Sequence, residues 1–437
     1  MIIKNAKLRG SETLSNIYIN GGVIEKVEPC SGSPGGAISE VAETLDAAGN
    51  IESVDVAGHM VTPPFVDPHV HLDAVLVSGK LDRPNVTGTL LEAIDIWNEW
   101  KQGLTKDILL ENAREVMQWY AANGVLHVRT HADCSDPTLL TVESLLELRE
   151  EWKGIIDIQV VAFPQNGVFT APDGEPLMRR ALDMGVDVVG GAPHIEYTRE
   201  DGVREVELVY ELAEKYDRLI DIHCDETGDP QSRFVEVMAK ENILRNMQGR
   251  AAASHTTSMH NFNNDYAYKL IGNLARSEMN MITNPFDNAV LQNRMDGYPR
   301  KRGSTRADEL LARGVNVCIG HDSIMDPWYS MGKGNMLMAA NLFAHIGHMN
   351  GHSQLSQLMD MITVNSAKTM GIDAYGIEAG KPADIVILDA ESDQDALRLL
   401  PECLYVIRNG RLLAKAAPAA RSVYVGSTPT YVDFRVR

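Results

Sequence analysis

The chain has 437 residues, of which 44% are hydrophobic and 23% charged, a composition typical of a globular enzyme larger than one ordinary domain. Its formal net charge of −20 argues against nucleic acid or a membrane surface as a partner, because both repel an acidic protein. The five cysteines are scattered and contain no C-x-x-C pair, which argues against a disulfide framework and for a reducing compartment. The opening MIIKNAKLRG lacks the apolar core of a signal peptide and no run of 18 apolar residues occurs, so we expect a cytoplasmic protein.

Both ends of the chain have the pattern of short β-strands. The first end predicts strands at 1–8, 17–20 and 23–27, with a hairpin turn at Asn20-Gly21-Gly22 and a Ser/Gly/Pro loop at 31–36. The second end predicts strands at 383–388, 403–408 and 411–414, with a hairpin turn at Asn409-Gly410. We expect the two ends, 1–63 and 375–437, to pair into one small β-sandwich.

The stretch between them, 64–374, alternates apolar runs with amphipathic segments. Helices are predicted at 105–123, 139–152 and 204–216, among others. Strand and helix alternation with apolar strands favours a parallel sheet covered by helices, and eight units favour a (β/α)8 barrel over an open doubly wound sheet. The eight predicted strands are 65–72, 126–133, 156–165, 186–194, 219–226, 251–257, 280–285 and 315–323.

Most of these strands end in polar residues, and in a barrel the carboxyl ends of the strands meet at one mouth. His69 and His71 lie two residues apart on the first strand, so both imidazoles face the same side. His223 ends the fifth strand, and Glu226 follows it at a position suited to proton transfer. Each of these signals alone is weak, because a lone buried histidine is more often a hydrogen-bonded core residue than a ligand.

Two further residues complete the pattern. His255 ends the sixth strand and Asp322 ends the eighth. Histidine and carboxylate ligands with one open position are typical of a catalytic metal site, where the ion lowers the pKa of a bound water toward ~7. The six residues together therefore predict a metal-dependent hydrolase.

The chain resembles the amidohydrolase superfamily and, more narrowly, the bacterial cytosine deaminase family. The resemblance covers nearly the whole chain and implies a barrel, a β-sandwich and one metal ion, Zn²⁺ or Fe²⁺. A second metal is not expected, because the fourth strand ends in GGAPH without a lysine or carboxylate to bridge two ions. The segments that match the family, in order, are VTPPFVDPHVHLD, NGVLHVRTHADCSD, DIQVVAFPQ, YDRLIDIHCDE, ASHTTSMH and GHDSIMDPWY.

The resemblance also implies roles for single residues. Glu226 matches the proton shuttle, and His255 matches the residue that orients the attacking hydroxide, whose proton Asp322 accepts. Gln165 matches the side chain that reads the amide edge of a pyrimidine, and a primary amide can donate and accept as that edge demands. Trp328 and Phe163 match the apolar walls around the ring. The matched metal ligands are His69, His71, His223 and Asp322.

One position departs from the family pattern. Cytosine deaminases usually carry two consecutive acids at the end of the eighth strand, and here the second is Ser323. Serine is smaller and uncharged, which predicts room for a 5-methyl group and hence activity on 5-methylcytosine, cytosine or both. The alternative is a neutral exchange that leaves cytosine preferred.

Two other hypotheses remain open. The chain could deaminate another small cyclic amidine, such as isoguanine, isocytosine or creatinine, and an ammonia-release assay separates these substrates. It could also be a catalytically silent scaffold, although the complete ligand set and Glu226 argue against this. The expected partner is a small pyrimidine, and the resemblance implies a homo-oligomer, a hexamer.

Overall fold

The computed structural model describes residues 1–31, 41–47, 49, 51–426 and 428–435. Apart from its first residue, the predicted loop at 31–36 lies outside the described residues. The strands are β1 (Ile2–Leu8), β2 (Leu14–Asn20), β3 (Val23–Pro29), β4 (Ala42–Leu45), β5 (Ile51–Asp55), β6 (Met60–Thr62), β7 (Phe65–Val70), β8 (Val125–Asp133), β9 (Asp157–Phe163), β10 (Val188–Gly191), β11 (Leu219–Cys224), β12 (Ala251–His255), β13 (Asn280–Thr283), β14 (Asn316–Ile319), β15 (Ile385–Leu388), β16 (Cys403–Arg408), β17 (Arg411–Lys415), β18 (Ser422–Tyr424) and β19 (Pro429–Tyr431). The helices are α1 (Leu90–Trp100), α2 (Lys106–Ala122), α3 (Leu140–Glu151), α4 (Gly174–Asp183), α5 (Arg199–Tyr216), α6 (Phe234–Leu244), α7 (Asn264–Arg276), α8 (Pro285–Leu291), α9 (Ala307–Ala312), α10 (Met336–Ile346), α11 (His352–Met361), α12 (Val364–Thr369) and α13 (Asp393–Leu399).

A parallel barrel forms the centre of the molecule. Strands β7 to β14 each pair with the next in chain order. The two outer strands of this sheet meet through a parallel bridge between Val70 and Asp322, which closes the barrel. All nine residues of β8 are buried, as expected for a strand covered on both faces. The predicted (β/α)8 barrel is therefore confirmed, and the open-sheet alternative is wrong.

The outer helices begin where side chains cap them. Thr105 accepts a hydrogen bond from the N–H of Ile108 at the start of α2, close to the predicted boundary. Helix α5 begins at Arg199, five residues before the predicted start at 204, because the side chain of Thr198 accepts from the N–H of Asp201. The helices pack on the strands through apolar faces and leave the carboxyl ends of the strands open.

The two chain ends form one sheet, as the sequence predicted. Its strand order is β17-β16-β15-β6-β1-β2-β3, so strands from both ends meet where β15 pairs with β6. The sheet branches at β1, which pairs with β5 near its start and with β6 near its end. Apolar residues of both branches form a single separate core, and the proposed domain bounds 1–63 and 375–437 stay a prediction.

Strand β15 connects this module to the barrel through both of its faces. Ile385 and Ile387 belong to the core of the terminal module, whereas Val386 and Leu388 belong to the core of the barrel. Successive residues of a strand point to opposite faces, so the strand contributes to both cores at once.

Helix α13 follows β15 and was not predicted; the side chain of Ser392 caps it by accepting from the N–H of Asp395. None of the helices in the described ranges combines the length and the apolar character needed to cross a membrane.

An ion-pair network links the same two parts. Arg408 at the end of β16 donates to Asp384 at 2.6 Å and to Asp157 of the barrel at 2.8 Å. His127 Nδ1 lies 3.1 Å from the same carboxylate of Asp157. Burial by itself raises the pKa of Asp157, but His127 and Arg408 outweigh this effect and lower it to about 2.

We expect Arg408→Ala to lower the free energy of unfolding by about 1.5–3 kcal/mol, because the change removes charged hydrogen bonds from a buried arginine. The pKa of Asp157 is depressed, so its contribution is present above pH about 4 and is lost as the pH falls toward 2. Urea unfolding at pH 7 and at pH 3 measures both effects. Arg411→Ala, which removes an exposed arginine from the adjacent strand, is the control, and equal losses in the two variants would contradict the assignment.

Candidate active site

The predicted metal ligands meet at the carboxyl rim of the barrel. Nε2 of His69 and Nε2 of His71 lie 3.4 and 3.5 Å from the same oxygen of Asp322. Nε2 of His71 is 3.1 Å from Nε2 of His223. Ligand atoms bound about 2.0–2.2 Å from one ion stand about 3.3–3.6 Å apart in a tetrahedral arrangement. These three distances fit ligands of a single divalent cation, and one ligand atom from each of His69, His223, His255 and Asp322 lies within 4.8 Å of the other three.

His255 joins this cluster from the end of β12. Its Nε2 lies 3.8 Å from the second oxygen of Asp322, and its Nδ1 lies 3.6 Å from Glu226. The side-chain amide of Asn288 approaches the same Nδ1 at 2.9 Å, and Asn284 lies 3.2 Å from Nε2. His255 is thus held between the metal cluster and the predicted proton shuttle, and its role in orienting the hydroxide stays a prediction.

Burial sets the protonation of the imidazoles. It lowers the pKa of His69 well below its ordinary value, and neighbouring histidines, first among them His131, lower it further. Burial does the same to the pKa of His71, His223 and His255. Neutral imidazole is the form that binds metal ions, so the cluster is prepared for a cation.

Two observations test whether a cation fits. Within the described part of the chain, Nε2 of His69 is buried and has no hydrogen-bond partner. Burial raises the pKa of Asp322 well above its ordinary value, and the nearby Asp287 and Glu226 add to this by repulsion. A positive ion would satisfy lone pairs of the histidines and offset that repulsion, so the residues fit a divalent metal.

The backbone at the rim adopts left-handed conformations that turn side chains into the centre. His255 has φ 69° and Asp322 has φ 70°, and the β-branched Thr256 has φ 47°. Such conformations are strained for residues other than glycine and persist where the surroundings enforce them. At Asp322 two backbone hydrogen bonds do so: its N–H donates to His69 at 2.8 Å, and its carbonyl accepts from His71 at 3.0 Å.

Asp67 supports the junction between the first and last barrel strands and was missed by the sequence analysis. One carboxylate oxygen accepts the N–H groups of His69 and His321, and the other accepts the hydroxyl of Tyr120 at 2.6 Å. Burial raises the pKa of Asp67 to about 7, although these hydrogen bonds act in the opposite direction. The signal in the sequence was an acidic residue inside an otherwise apolar strand, in PPFVDPHVH.

Glu226 has the properties of a general acid. It is buried, and burial raises its pKa to about 8 even though the amide of Gln292 donates to it at 3.2 Å. A carboxyl group with such a pKa holds a proton at neutral pH and can release it to a bound substrate.

A cavity of about 290 Å³ adjoins the metal cluster. Its wall includes Gln165, Trp328 and Ser323, which the sequence predicted, and Leu90, Leu291 and Asp287, which it did not. Phe163 is not among the described residues that line the cavity. Its ring stacks on His223, with centroids 4.1 Å apart and an interplanar angle of 26°. Phe163 therefore packs against a predicted metal-binding histidine and not along the cavity.

Ser323 and Asp287 form a contact that only the fold reveals. The hydroxyl of Ser323 donates to Asp287 at 2.9 Å, so the serine is already engaged. Burial raises the pKa of Asp287 well above its ordinary value, and Asp326 adds to this by repulsion. Asp287 lies in α8, outside any strand end, and no pattern in the sequence distinguished it from a surface acid.

Comparisons with known proteins agree with this geometry. A family model described as "Amidohydrolase family" matches residues 52–414. N-isopropylammelide isopropyl amidohydrolase from Pseudomonas sp. strain ADP is 30% identical over 95% of this chain and 97% of its own length.

Two solved structures extend the similarity. The 5-methylcytosine deaminase from Klebsiella pneumoniae, bound to 5-fluorocytosine, is 41% identical with a TM-score of 0.91, over 96% of this chain and 98% of its own. N-isopropylammelide isopropylaminohydrolase from Burkholderia multivorans is 25% identical with a TM-score of 0.79, over 95% of this chain and 98% of its own.

Removal of metal should destabilise the protein. A ligand present at 100 times its Kd stabilises the folded state by about 2.7 kcal/mol, so we expect Tm to fall after dialysis against a chelator and to recover with Zn²⁺ or Fe²⁺. In Asp322→Asn the recovery should disappear, because one ligand has lost its charge. Asp308→Asn, which changes an exposed acid on α9, is the control. A metal-induced shift of equal size in both variants would disprove the ligand assignment.

Proposed function

Because the chain belongs to the amidohydrolase family, we propose that it hydrolytically deaminates a free pyrimidine base, releasing ammonia. The substrates are 5-methylcytosine, converted to thymine, cytosine, converted to uracil, or both. The observation that carries this proposal is one small cavity that brings together a metal-type cluster, a protonated carboxyl group and a primary amide. This cavity, about 290 Å³ with part of it open to solvent, is smaller than the adjoining cavity of about 1100 Å³.

The similarity to the 5-methylcytosine deaminase supports the same substrate class. That protein binds 5-fluorocytosine, and its likeness to this chain extends over the barrel and the terminal sheet. The relatives named for N-isopropylammelide share the fold at lower identity. We therefore place the substrate of this chain with the pyrimidines.

Gln165 and Trp328 orient the ring in the proposed complex. Both line the cavity, and Gln165 is 6% exposed. The amide of Gln165 can donate one hydrogen bond and accept another along the N–H and C=O edge of the base. The indole of Trp328 stacks toward His71, with centroids 6.1 Å apart, and provides an apolar wall beside the cluster.

The proposed reaction adds water to the amine-bearing ring carbon. A bound Zn²⁺ or Fe²⁺ would supply a Lewis acid that lowers the pKa of water toward ~7. Asp322 and His255 take the proton that the attacking water loses. Glu226 donates a proton to the adjacent ring nitrogen. The amine then takes the proton held by Asp322 and leaves as ammonia, while the added hydroxyl group returns a proton to Glu226 and becomes the carbonyl.

An ammonia-release assay tests the proposal. It compares cytosine, 5-methylcytosine, isocytosine, isoguanine and creatinine on zinc-loaded and iron-loaded protein. Turnover of cytosine or 5-methylcytosine above the others supports the proposal, and activity confined to isocytosine, isoguanine or creatinine overturns it. Activity with none of them on metal-loaded protein would favour a silent scaffold. The choice between zinc and iron follows from the same assay.

The expected homo-oligomer, a hexamer, and the cytoplasmic location stay predictions.

A second cavity favours including larger rings in that panel. It has a volume of about 1100 Å³ and shares Leu90, Glu226 and Leu291 with the inner cavity. A substrate larger than a pyrimidine could extend into it past those two leucines. Isoguanine is therefore the most informative of the alternative substrates.

Glu226→Gln should lower kcat by about 10²–10⁴-fold, because the amide cannot deliver a proton. In the wild type we expect kcat/KM to fall above pH about 8, where Glu226 loses the proton it must donate. The variant should lack that alkaline limb. Glu200→Gln, which changes an exposed acid at the start of α5, is the control, and it should leave both the rate and the pH profile unchanged. Retention of the alkaline limb in Glu226→Gln would assign the proton donor to another group.

Ser323→Thr should lower kcat/KM for 5-methylcytosine relative to cytosine by about 10-fold or more, because the added methyl occupies the space that the 5-methyl group needs. Ser323→Ala keeps that space and should leave the ratio within threefold of the wild type. We prefer these variants to Ser323→Asp, which would place a second carboxylate against Asp287. If the wild type processes 5-methylcytosine hundreds of times worse than cytosine, the 5-methyl hypothesis is wrong.

A further inference from the structure

Inside the barrel, a chain of three buried side chains leads to the metal cluster. Arg129 on β8 donates from Nη1 to Asp221 on β11 at 3.0 Å. Ser254 on β12 lies 2.5 Å from the other carboxylate oxygen of Asp221 and 3.0 Å from Nδ1 of His69. All four side chains are inaccessible to solvent. Neither the sequence patterns nor the reaction described above uses Arg129, Asp221 or Ser254.

The chain determines where the protons lie. A carboxylate can only accept hydrogen bonds, so the single hydroxyl hydrogen of Ser254 is donated to Asp221. The oxygen of Ser254 can then only accept from His69, which requires the hydrogen of that imidazole to be on Nδ1. The lone pair therefore lies on Nε2, the atom 3.4 Å from Asp322.

Arg129 keeps this arrangement in place. Its other guanidinium nitrogens donate to the side chain of Gln159 and to the carbonyl of Thr369, at 3.0 and 3.1 Å. The guanidinium is therefore held on three sides, which fixes the position of the Asp221 carboxylate.

We propose that Ser254, held by Asp221 and Arg129, is a positioning residue that orients His69 and selects its metal-binding tautomer. This inference rests on the proposed metal site. Groups that hydrogen-bond to the outer nitrogen of a ligating histidine typically change metal affinity by 10–100-fold. His223 has no such support, because its Nδ1 has no hydrogen-bond partner among the described residues. The chain thus sets the orientation of one specific ligand.

The test compares metal affinity in purified full-length variants. Ser254→Ala removes the hydroxyl, and Ser254→Thr retains it. Ser144→Ala is the matched control, because Ser144 is also buried and its hydroxyl donates to the carbonyl of Leu140 within its own helix, α3. The zinc dissociation constant is measured by competition with a chromogenic chelator. The absorption spectrum of the cobalt-loaded protein reports the metal coordination, and the Tm of the metal-free protein reports its folding.

We expect Ser254→Ala to bind zinc 10–100-fold more weakly than Ser144→Ala at a similar metal-free Tm, with an altered cobalt spectrum, and Ser254→Thr to bind like the wild type. Equal affinities for the two alanine variants would overturn the proposal. So would an equal loss in Ser254→Thr, since packing and not the hydroxyl would then be responsible. A Ser254→Ala protein that does not fold would assign the hydroxyl to folding instead. Failure of the wild type to bind zinc or cobalt would contradict the metal site itself, which is a separate outcome.

Discussion

The hydrogen bonds between the first and last barrel strands hold the residues of the candidate active site next to one another. The N–H of Asp322 donates to the carbonyl of His69, and the N–H of His71 donates to the carbonyl of Asp322. Asp67 strengthens the same junction between the two strands by accepting the N–H groups of His69 and His321. Side chains about 250 positions apart in the chain thereby become neighbours. Without this closure His69 and His71 would lack Asp322 as a neighbour, and the predicted cation site would not form.

Burial then gives these residues their chemistry. Exclusion of water disfavours every charged form, so it keeps the histidines neutral and also raises the pKa of Glu226 to about 8. Neutral imidazoles bind a cation, and a protonated carboxyl group can act as an acid. The same environment thus prepares the protein for metal binding and for proton transfer. Deeper in the barrel, Arg129 offsets the cost of burying Asp221 by pairing with it.

In the proposed function, the cavity wall beside the metal cluster selects the substrate. Members of one fold carry different activities because the side chains around a shared centre differ. Here Ser323, Asp287 and Trp328 lie beside the ligands and border the cavity. The family usually carries a second acid at this strand end, and Ser323 puts an uncharged side chain there. A carboxylate nevertheless remains close, because Asp287 from α8 accepts the hydroxyl of Ser323.

The sequence by itself determined the barrel, the terminal sheet and the candidate ligands, because each rests on a local pattern. Strand and helix alternation is a local periodicity, and His69 and His71 share a face by their spacing alone. The roles of Asp67, Asp287 and Ser254 were decided only by the tertiary structure, since their partners come from distant segments. Phe163 shows the same limit, because its place at the end of β9 was predictable but its stacking on His223 was not. A local pattern shows which residues end a strand, but the folded barrel decides which of them meet.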